Sequence, residues 1–239
     1  MAGKIFTVTN EKGGTGKTTH TTNYAVVLAH KGFNVVILDA DPKPASATWG
    51  KRRKAFLDEL IEITNADLET TKEQKKFLTR KLKPRPITVV RNRGEIDRTI
   101  LSLREEYDFV LIDAGGMDEQ EQRIAIGLSD TVICTTKTGQ YDLDTSPRMV
   151  HIIKMARAFN RKLRAIFVIN EAPTNKAMSN TQDAKEILSR FDDFELARTV
   201  IHKRNSYELT ATYGLGVVEW SDSKARGEIE ILVKEIFDV

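Results

Sequence analysis

Cysteine is nearly absent: the 239 residues contain one, Cys134. A single thiol cannot close a disulfide within the chain, so a disulfide framework is excluded and a reducing, cytoplasmic setting is the default expectation. Cys134 stands in the apolar run "TVICTTK", where a buried structural thiol is expected rather than a reactive one. Long apolar runs are lacking as well. No segment approaches the ~18 residues of a membrane span, and the opening "MAGKIFTVTN" is too short and too strand-like for a signal peptide. A soluble protein with no membrane partner is therefore expected. Nor is there a large excess of one charge: 37 Lys and Arg against 34 Asp and Glu leave a formal +3, which does not by itself announce nucleic acid. One local absence says more. Between Gln74 and Gly94 there is no acidic residue, while Lys75, Lys76, Arg80, Lys81, Lys83, Arg85, Arg91 and Arg93 accumulate. Such a run is either a solvated face or a surface for an anionic polymer.

The chain shows no internal repeat and no long flexible linker, and its length suits one domain spanning residues 1–239. "KIFTVTN" is β-branched and aromatic and reads as a strand. It leads into a glycine loop, a helical stretch "TTNYAVVLAHKGF" that stops at Gly32, and the continuous apolar run "NVVILDAD". Further strands are expected at "ITVV" (87–90), "DFVLIDA" (108–114), "TVICTT" (131–136) and "AIFVIN" (165–170), with helices between most of them. Residues 95–107 place Ile96, Ile100, Leu103 and Tyr107 on one helical face, and Ser146 before Pro147 reads as an N-cap. Alternating strands and helices predict an α/β fold, a doubly wound and mostly parallel sheet with helices on both faces. The segment from Trp49 to Pro86 is the least regular, charged and partly helical, and is expected to be an excursion on the rim, around 50–86.

In such sheets ligands collect at the carboxyl ends of the strands. The loop "NEKGGTGKTTH", Asp39 and Asp41, Asp113 and Asn170 all arrive at that edge. In the phosphate-loop pattern G-x-x-x-x-G-K-[ST], glycines let backbone N–H groups wrap phosphates while Lys and Ser/Thr reach the terminal phosphate and its metal. Gly16, Lys17 and Thr18 match, but Glu11 stands where the first glycine belongs and Lys12 follows it, so the motif is deviant. Residues Lys12, Gly13, Gly14, Thr15, Gly16, Lys17, Thr18 and Thr19 are the expected nucleotide cradle. Thr18 and Asp113 are expected to hold Mg²⁺, a hard cation that takes oxygen ligands. Of Asp39 and Asp41, one is expected to face the γ-phosphate and its attacking water; Asp41, nearer the loop, is taken as that residue and as a further metal contact.

At this point "KGGTGKTT" resembles the deviant Walker A motif of the ParA/MinD group of P-loop ATPases. "DADPKPASATW" resembles that group's D-x-D-P segment and "DFVLIDAGG" its Walker B strand, while "GVVEWSDSKARGEIEILVKEI" is similar to the close of small partition ATPases of the ParF type. The resemblance implies that Lys12 acts in trans on a partner's nucleotide, that ATP with Mg²⁺ drives a homodimer, and that Lys12, Lys17 and Asp41 carry hydrolysis. It further implies nonspecific DNA binding on the nucleoid, with Lys203, Arg204, Lys224 and Arg226 as candidate contacts, and a ParB/ParG-like centromere-binding or cargo adaptor. Asn170 is expected at the adenine edge. The chain starts at its first strand, so the N-terminal DNA-binding extension of larger partition ATPases is expected to be lacking. Gly115, Gly116 and Met117 depart from the group, whose members often carry prolines there. Two other readings share the loop. A MinD-like membrane-positioning ATPase needs a basic amphipathic tail, whereas Glu228, Glu230, Glu235 and Asp238 accompany the apolar face here, which fits a docked terminal helix. A dethiobiotin-synthetase-like enzyme would not require the trans lysine. A nitrogenase-type iron protein needs two cysteines from each subunit for its bridging cluster, and one cannot supply them.

Overall fold

The structure is a computed structural model that describes residues 2–66, 83–116, 120–175 and 180–239. Lys75, Lys76, Arg80 and Lys81 of the basic run, and Met117, lie outside the described residues.

Seven strands form one parallel sheet: β1 (Lys4–Thr9), β2 (Val35–Asp39), β3 (Thr88–Arg91), β4 (Phe109–Asp113), β5 (Thr131–Thr136), β6 (Arg164–Ile169) and β7 (Glu195–Leu196), in the order β3-β2-β4-β1-β5-β6-β7. The helices between them are α1 (Lys17–His30), α2 (Ala45–Ala66), α3 (Asp97–Glu106), α4 (Gln120–Leu128), α5 (Gln140–Leu143), α6 (Ser146–Arg157), α7 (Asn180–Leu188), α8 (Asn205–Thr212) and α9 (Ser223–Phe237). The central strands are buried along nearly their whole length because both faces are covered. Successive residues of β1 separate cleanly. Phe6 and Val8 pack with Tyr24 and Leu28 of α1 and with Leu232, Ile236 and Phe237 of α9, whereas Ile5 packs with Ile96, Ile100 and Leu103 on the opposite face. Farther along, Val132, Cys134, Ala165 and Phe167 meet Met149 and Ile153 of α6 and Leu188 of α7. Cys134 is buried as expected, and burial pushes its thiol well above the usual range.

Each strand expected from the sequence is present, with ends shifted by a residue or two. Gly32 has φ +96° and its N–H returns to Ala29 O, so α1 ends as its glycine foretold. Ser146 is the first residue of α6 rather than its cap; Thr145 precedes it without a side-chain cap bond, and Pro147 takes the first turn. The terminal helix is docked: Phe237 lies 4.2 Å from Phe6 and 5.4 Å from Tyr24 between ring centroids. Its start is fixed by the Asp222 carboxylate, which accepts from the Lys224 and Ala225 N–H groups.

The excursion expected around residues 50–86 is helical over its first part, in keeping with a partly helical segment, and residues 67–82 lie outside the described residues. Residues 45–66 are one regular helix, with Trp49, Arg53 and Phe56 buried. The spacing of these three residues is helical, with Arg53 on the inward face.

Candidate functional site

The first turn of α1 is prepared by two left-handed glycines, Gly14 at φ +76° and Gly16 at φ +97°. Gly16 is also sterically obligatory: a Cβ there would lie 2.2 Å from Asn170 Nδ2. The unsatisfied N–H groups at the start of α1 therefore open onto the loop, with no acidic residue in that turn, which is the electrostatic preparation for a phosphate. Thr15 is buried, its hydroxyl 3.3 Å from that of Thr135, and Asn170 Nδ2 donates to Thr15 O at 2.8 Å. Asn170 thus reaches the expected edge, where its amide is anchored to the loop by the bond to Thr15 O. Gly13 and Gly14 are exposed on the rim of the cradle, and Thr19 continues the helix, its carbonyl accepting from Asn23.

Lys17 is 8% exposed, and its ammonium donates to Lys12 O at 3.3 Å, across the interior of the loop. The Thr18 hydroxyl donates to Asp113 Oδ2 at 2.7 Å. Ser46 at the start of α2 donates to the same oxygen at 2.6 Å, a partner that the sequence reading missed because nothing local distinguishes a serine in "PASAT". Burial, reinforced by the nearby charges of Asp39 and Asp41 and opposed by these two hydroxyls, pushes the Asp113 carboxyl up to about 6. Its second oxygen, Oδ1, is buried with no hydrogen-bond partner among the described residues. An orphaned oxygen on a costly buried carboxylate, beside a hydroxyl, is a donor set suited to Mg²⁺, which would relieve both defects. The residues therefore fit the metal.

Asp39 and Asp41 divide their work. Asp39 is fully buried; its oxygens accept the Ala47 N–H at 2.7 Å and the Asp41 N–H at 3.3 Å, so it anchors the start of α2. Burial raises its carboxyl as well. Asp41 lies past the strand end, half-buried, and accepts only the Lys43 N–H, at 2.8 Å, among its hydrogen bonds in the described residues. It is the less committed of the two carboxylates.

Lys12 stands outside this interior. Its ammonium pairs with Asp142 of α5 at 2.9 Å, and the neighbouring Glu11 pairs with Arg148 of α6. Asn10 completes the tie: its amide donates to Thr135 O at 2.6 Å while Oδ1 accepts the Lys12 N–H at 3.2 Å. The side of the loop bearing the second lysine is thus fastened to the connection between β5 and α6. Sequence gave no sign of Asp142, which tertiary structure alone brings there. Gly116, a departure from the family pattern, also has a reason: a Cβ there would lie 2.2 Å from Glu11 O, so the chain after β4 packs directly on the phosphate loop.

The four expected DNA residues do not form one free set. Lys203 and Lys224 are exposed, but Arg204 pairs with Glu228, and the Arg226 guanidinium donates to Val218 O at 2.7 Å and Trp220 O at 3.2 Å.

Comparison with known proteins agrees with this geometry. The family described as AAA domain matches residues 3–165. Sporulation initiation inhibitor protein Soj of Bacillus subtilis is 24% identical over 253 residues, covering 98% of this chain and 98% of Soj. Among solved structures, apo McdA from Cyanothece superposes with a TM-score of 0.73 at 13% identity, covering 98% of this chain and 99% of McdA. The septum site-determining protein MinD of Pyrococcus horikoshii, complexed with Mg-ADP, gives 0.69 at 19% identity, covering 98% and 95%. No helix among the described residues is long and apolar enough to cross a membrane. With its two-lysine phosphate loop, its parallel seven-stranded sheet and the match over residues 3–165, the chain belongs to the ParA/MinD family of P-loop ATPases.

Proposed function

We propose that this chain is a positioning ATPase that hydrolyses ATP with Mg²⁺ as a homodimer, binds DNA without sequence preference in the ATP state, and is released when an adaptor of the ParB/ParG kind stimulates hydrolysis. The observation that carries this reading is the division of labour between two lysines of one loop: Lys17 lies inside the cradle, while Lys12 is held away from it by Asp142. A one-site enzyme acting alone has no use for the second. In a dimer, Lys12 leaves Asp142 and reaches the facing nucleotide, where its charge stabilises the transferring phosphoryl group as an arginine finger would.

In this mechanism the N–H groups of residues 13–18 and the Lys17 ammonium bind the phosphates. Thr18, Asp113 and Asp41 hold the metal, which would neutralise charge on the terminal phosphates and orient them. Asp41 orients the attacking water, and Asn170 acts by keeping the loop in shape. The single-domain organisation over residues 1–239 belongs to the same reading.

The tie between Lys12 and Asp142 is weak enough to act as a switch. Lys12 is 37% exposed, and ion pairs at that level of solvent access contribute about 0.2–1 kcal/mol. Dimer contacts can overcome that. The expected results are as follows. By mass in solution, wild type is a monomer with ADP and a dimer with ATP and Mg²⁺. Lys12→Ala keeps ATP affinity within a few-fold but loses the dimer-linked turnover, by roughly 10³-fold. Asp142→Asn moves the other way, raising the dimer fraction by a factor of up to about 5, the equivalent of ~1 kcal/mol. Unchanged turnover in Lys12→Ala would make that lysine a spectator, and a wild type that stays monomeric with ATP would redirect the reading to a P-loop enzyme acting on a small molecule.

A further inference from the structure

His20 lies one turn beyond Lys17 on α1 and is buried, and its Nδ1 stands 2.7 Å from the hydroxyl of Tyr24, also buried. That is the hydroxyl's one hydrogen bond among the described residues. A buried O–H without an acceptor is costly, so the phenol donates and Nδ1 accepts. An uncharged imidazole has a single N–H, which then falls on Nε2. Nε2 is buried too and makes no hydrogen bond among the described residues, while the Asn170 amide is the polar group beside it. Both side chains flank Gly16: a Cβ there would lie 3.6 Å from His20 Cδ2 and 2.2 Å from Asn170 Nδ2. Because Asn170 Nδ2 donates to Thr15 O, its Oδ1 is left as the acceptor for the Nε2–H. Every donor in this row, from Tyr24 through His20 and Asn170 to Thr15 O, points the same way.

The place of Asn170 is fixed independently. Its N–H donates to Thr136 O at 2.7 Å, and the next residue, Glu171, is held left-handed at φ +51°, a conformation that a non-glycine residue adopts only at a cost. The Glu171 carboxylate is tied to Lys137 at 2.8 Å, so a pairing across the ends of β5 and β6 retains the strain and delivers the Asn170 side chain to the loop. We propose that His20 is a positioning residue of the phosphate site, which through Asn170 holds the Thr15–Gly16 peptide with its carbonyl turned out of the cradle and its N–H turned in. In a planar trans peptide the C=O and N–H point opposite ways, so whatever holds Thr15 O also aims the Gly16 N–H. Gly16 at φ +97° is free to rotate that plane, which is why the loop needs a hold from outside. The inference rests on the reading of this loop as a nucleotide site and adds a residue to it.

The test compares the full chain with its His20→Gln, His20→Asn and Asn170→Ala variants by calorimetric titration of ATP and of ADP, each with Mg²⁺. A glutamine amide nitrogen can reach where Nε2 stands and restores the donor, whereas asparagine reaches only as far as Nδ1 and keeps the Tyr24 bond alone. His20→Gln should bind both nucleotides within a few-fold of wild type. His20→Asn should weaken both by roughly 10-fold, since both present phosphates to the Gly16 N–H, and should raise KM with little change in kcat. In the Asn170→Ala background, His20→Asn should cost nothing further. Unchanged affinity in His20→Asn, equal losses in His20→Asn and His20→Gln, or additive losses in the double variant would each overturn the proposal, because His20 would then act through core packing. Should His20→Asn fail to fold, wild type decides: the ring nitrogen shifts with ADP bound should report the Nε2–H tautomer, and the Nδ1–H tautomer overturns the proposal. If these variants behave as expected but wild type never dimerises with ATP, the positioning-ATPase reading fails and this inference stands. A wild type that binds no nucleotide overturns both.

Discussion

Lys17→Ala is expected to abolish ATP binding at any concentration reached in a titration. The residue sits where helix and loop both converge on one small volume: the N-terminal turn of α1, the left-handed Gly14 and Gly16, and an ammonium that is 8% exposed and aimed back at Lys12 O. Two unit charges 4 Å apart at an effective dielectric of 20 attract by about 4 kcal/mol. That is about three decades in affinity. The helix N-terminus and loop N–H groups remain in the variant, but they supply only partial charges, worth about 1 kcal/mol each way. Calorimetric titration of ATP with Mg²⁺ into the variant is the measurement, beside a thermal melt to establish that the loop region still folds. Affinity within a few-fold of wild type would remove Lys17 from the phosphate site and with it the reading of the whole loop.

Much of this site could be read in the chain because each part is local. A glycine loop between an apolar strand and a helix, aspartates ending two strands and a deviant second lysine are all visible without a third dimension, and the sheet then carries them to one edge. What could not be read is what long-range packing decides. Ser46 reaches Asp113 over a separation of 67 residues, and Lys12 meets Asp142 only because the β5–α6 connection returns beside the loop. Strand β7 has two residues and pairs only with β6, too short for any periodicity to register. The surroundings of the basic residues are set in the same way. Sequence counts a guanidinium as surface charge, yet Arg204 and Arg226 are tied down by neighbours that fold back from elsewhere in the last third of the chain. Arg53 of α2 is likewise buried, and two of its partners, Gly214 and Glu219, lie more than 160 residues away.

That arginine carries the second large effect expected. Arg53 is 1% exposed and sits over the Trp49 ring; its guanidinium donates to Glu219 Oε2 at 2.9 Å, to Glu219 Oε1 at 2.8 Å, to Gly214 O at 2.9 Å and to Arg85 O at 2.7 Å. His30 meets the same carboxylate at 2.9 Å. Burial on its own would raise the Glu219 carboxyl, but the hydrogen bonds from Arg53 and His30 and the Arg53 charge hold it down at about 2. Arg53→Ala leaves a buried carboxylate without its main partner, which costs about 3–5 kcal/mol. For a chain of this length that is a fall of roughly 10 °C in thermal midpoint. The pH dependence identifies the cause. A carboxyl whose folded value lies below its unfolded value contributes stability that is fully present above the unfolded value, near 4.5, and is lost as pH falls through about 2. Glu219→Gln, which keeps the shape and removes the charge, should therefore show its full deficit at pH 7 and a shrinking one between about 4.5 and 2. Denaturant unfolding at pH 7, 4 and 3 reads that difference directly. A deficit that stays constant with pH would mean that Glu219 works through shape and neutral hydrogen bonds. A deficit that closes in acid means that α2, the helix that starts at the nucleotide site, is bound by charge to the C-terminal third, so that any movement of its first turn is felt there.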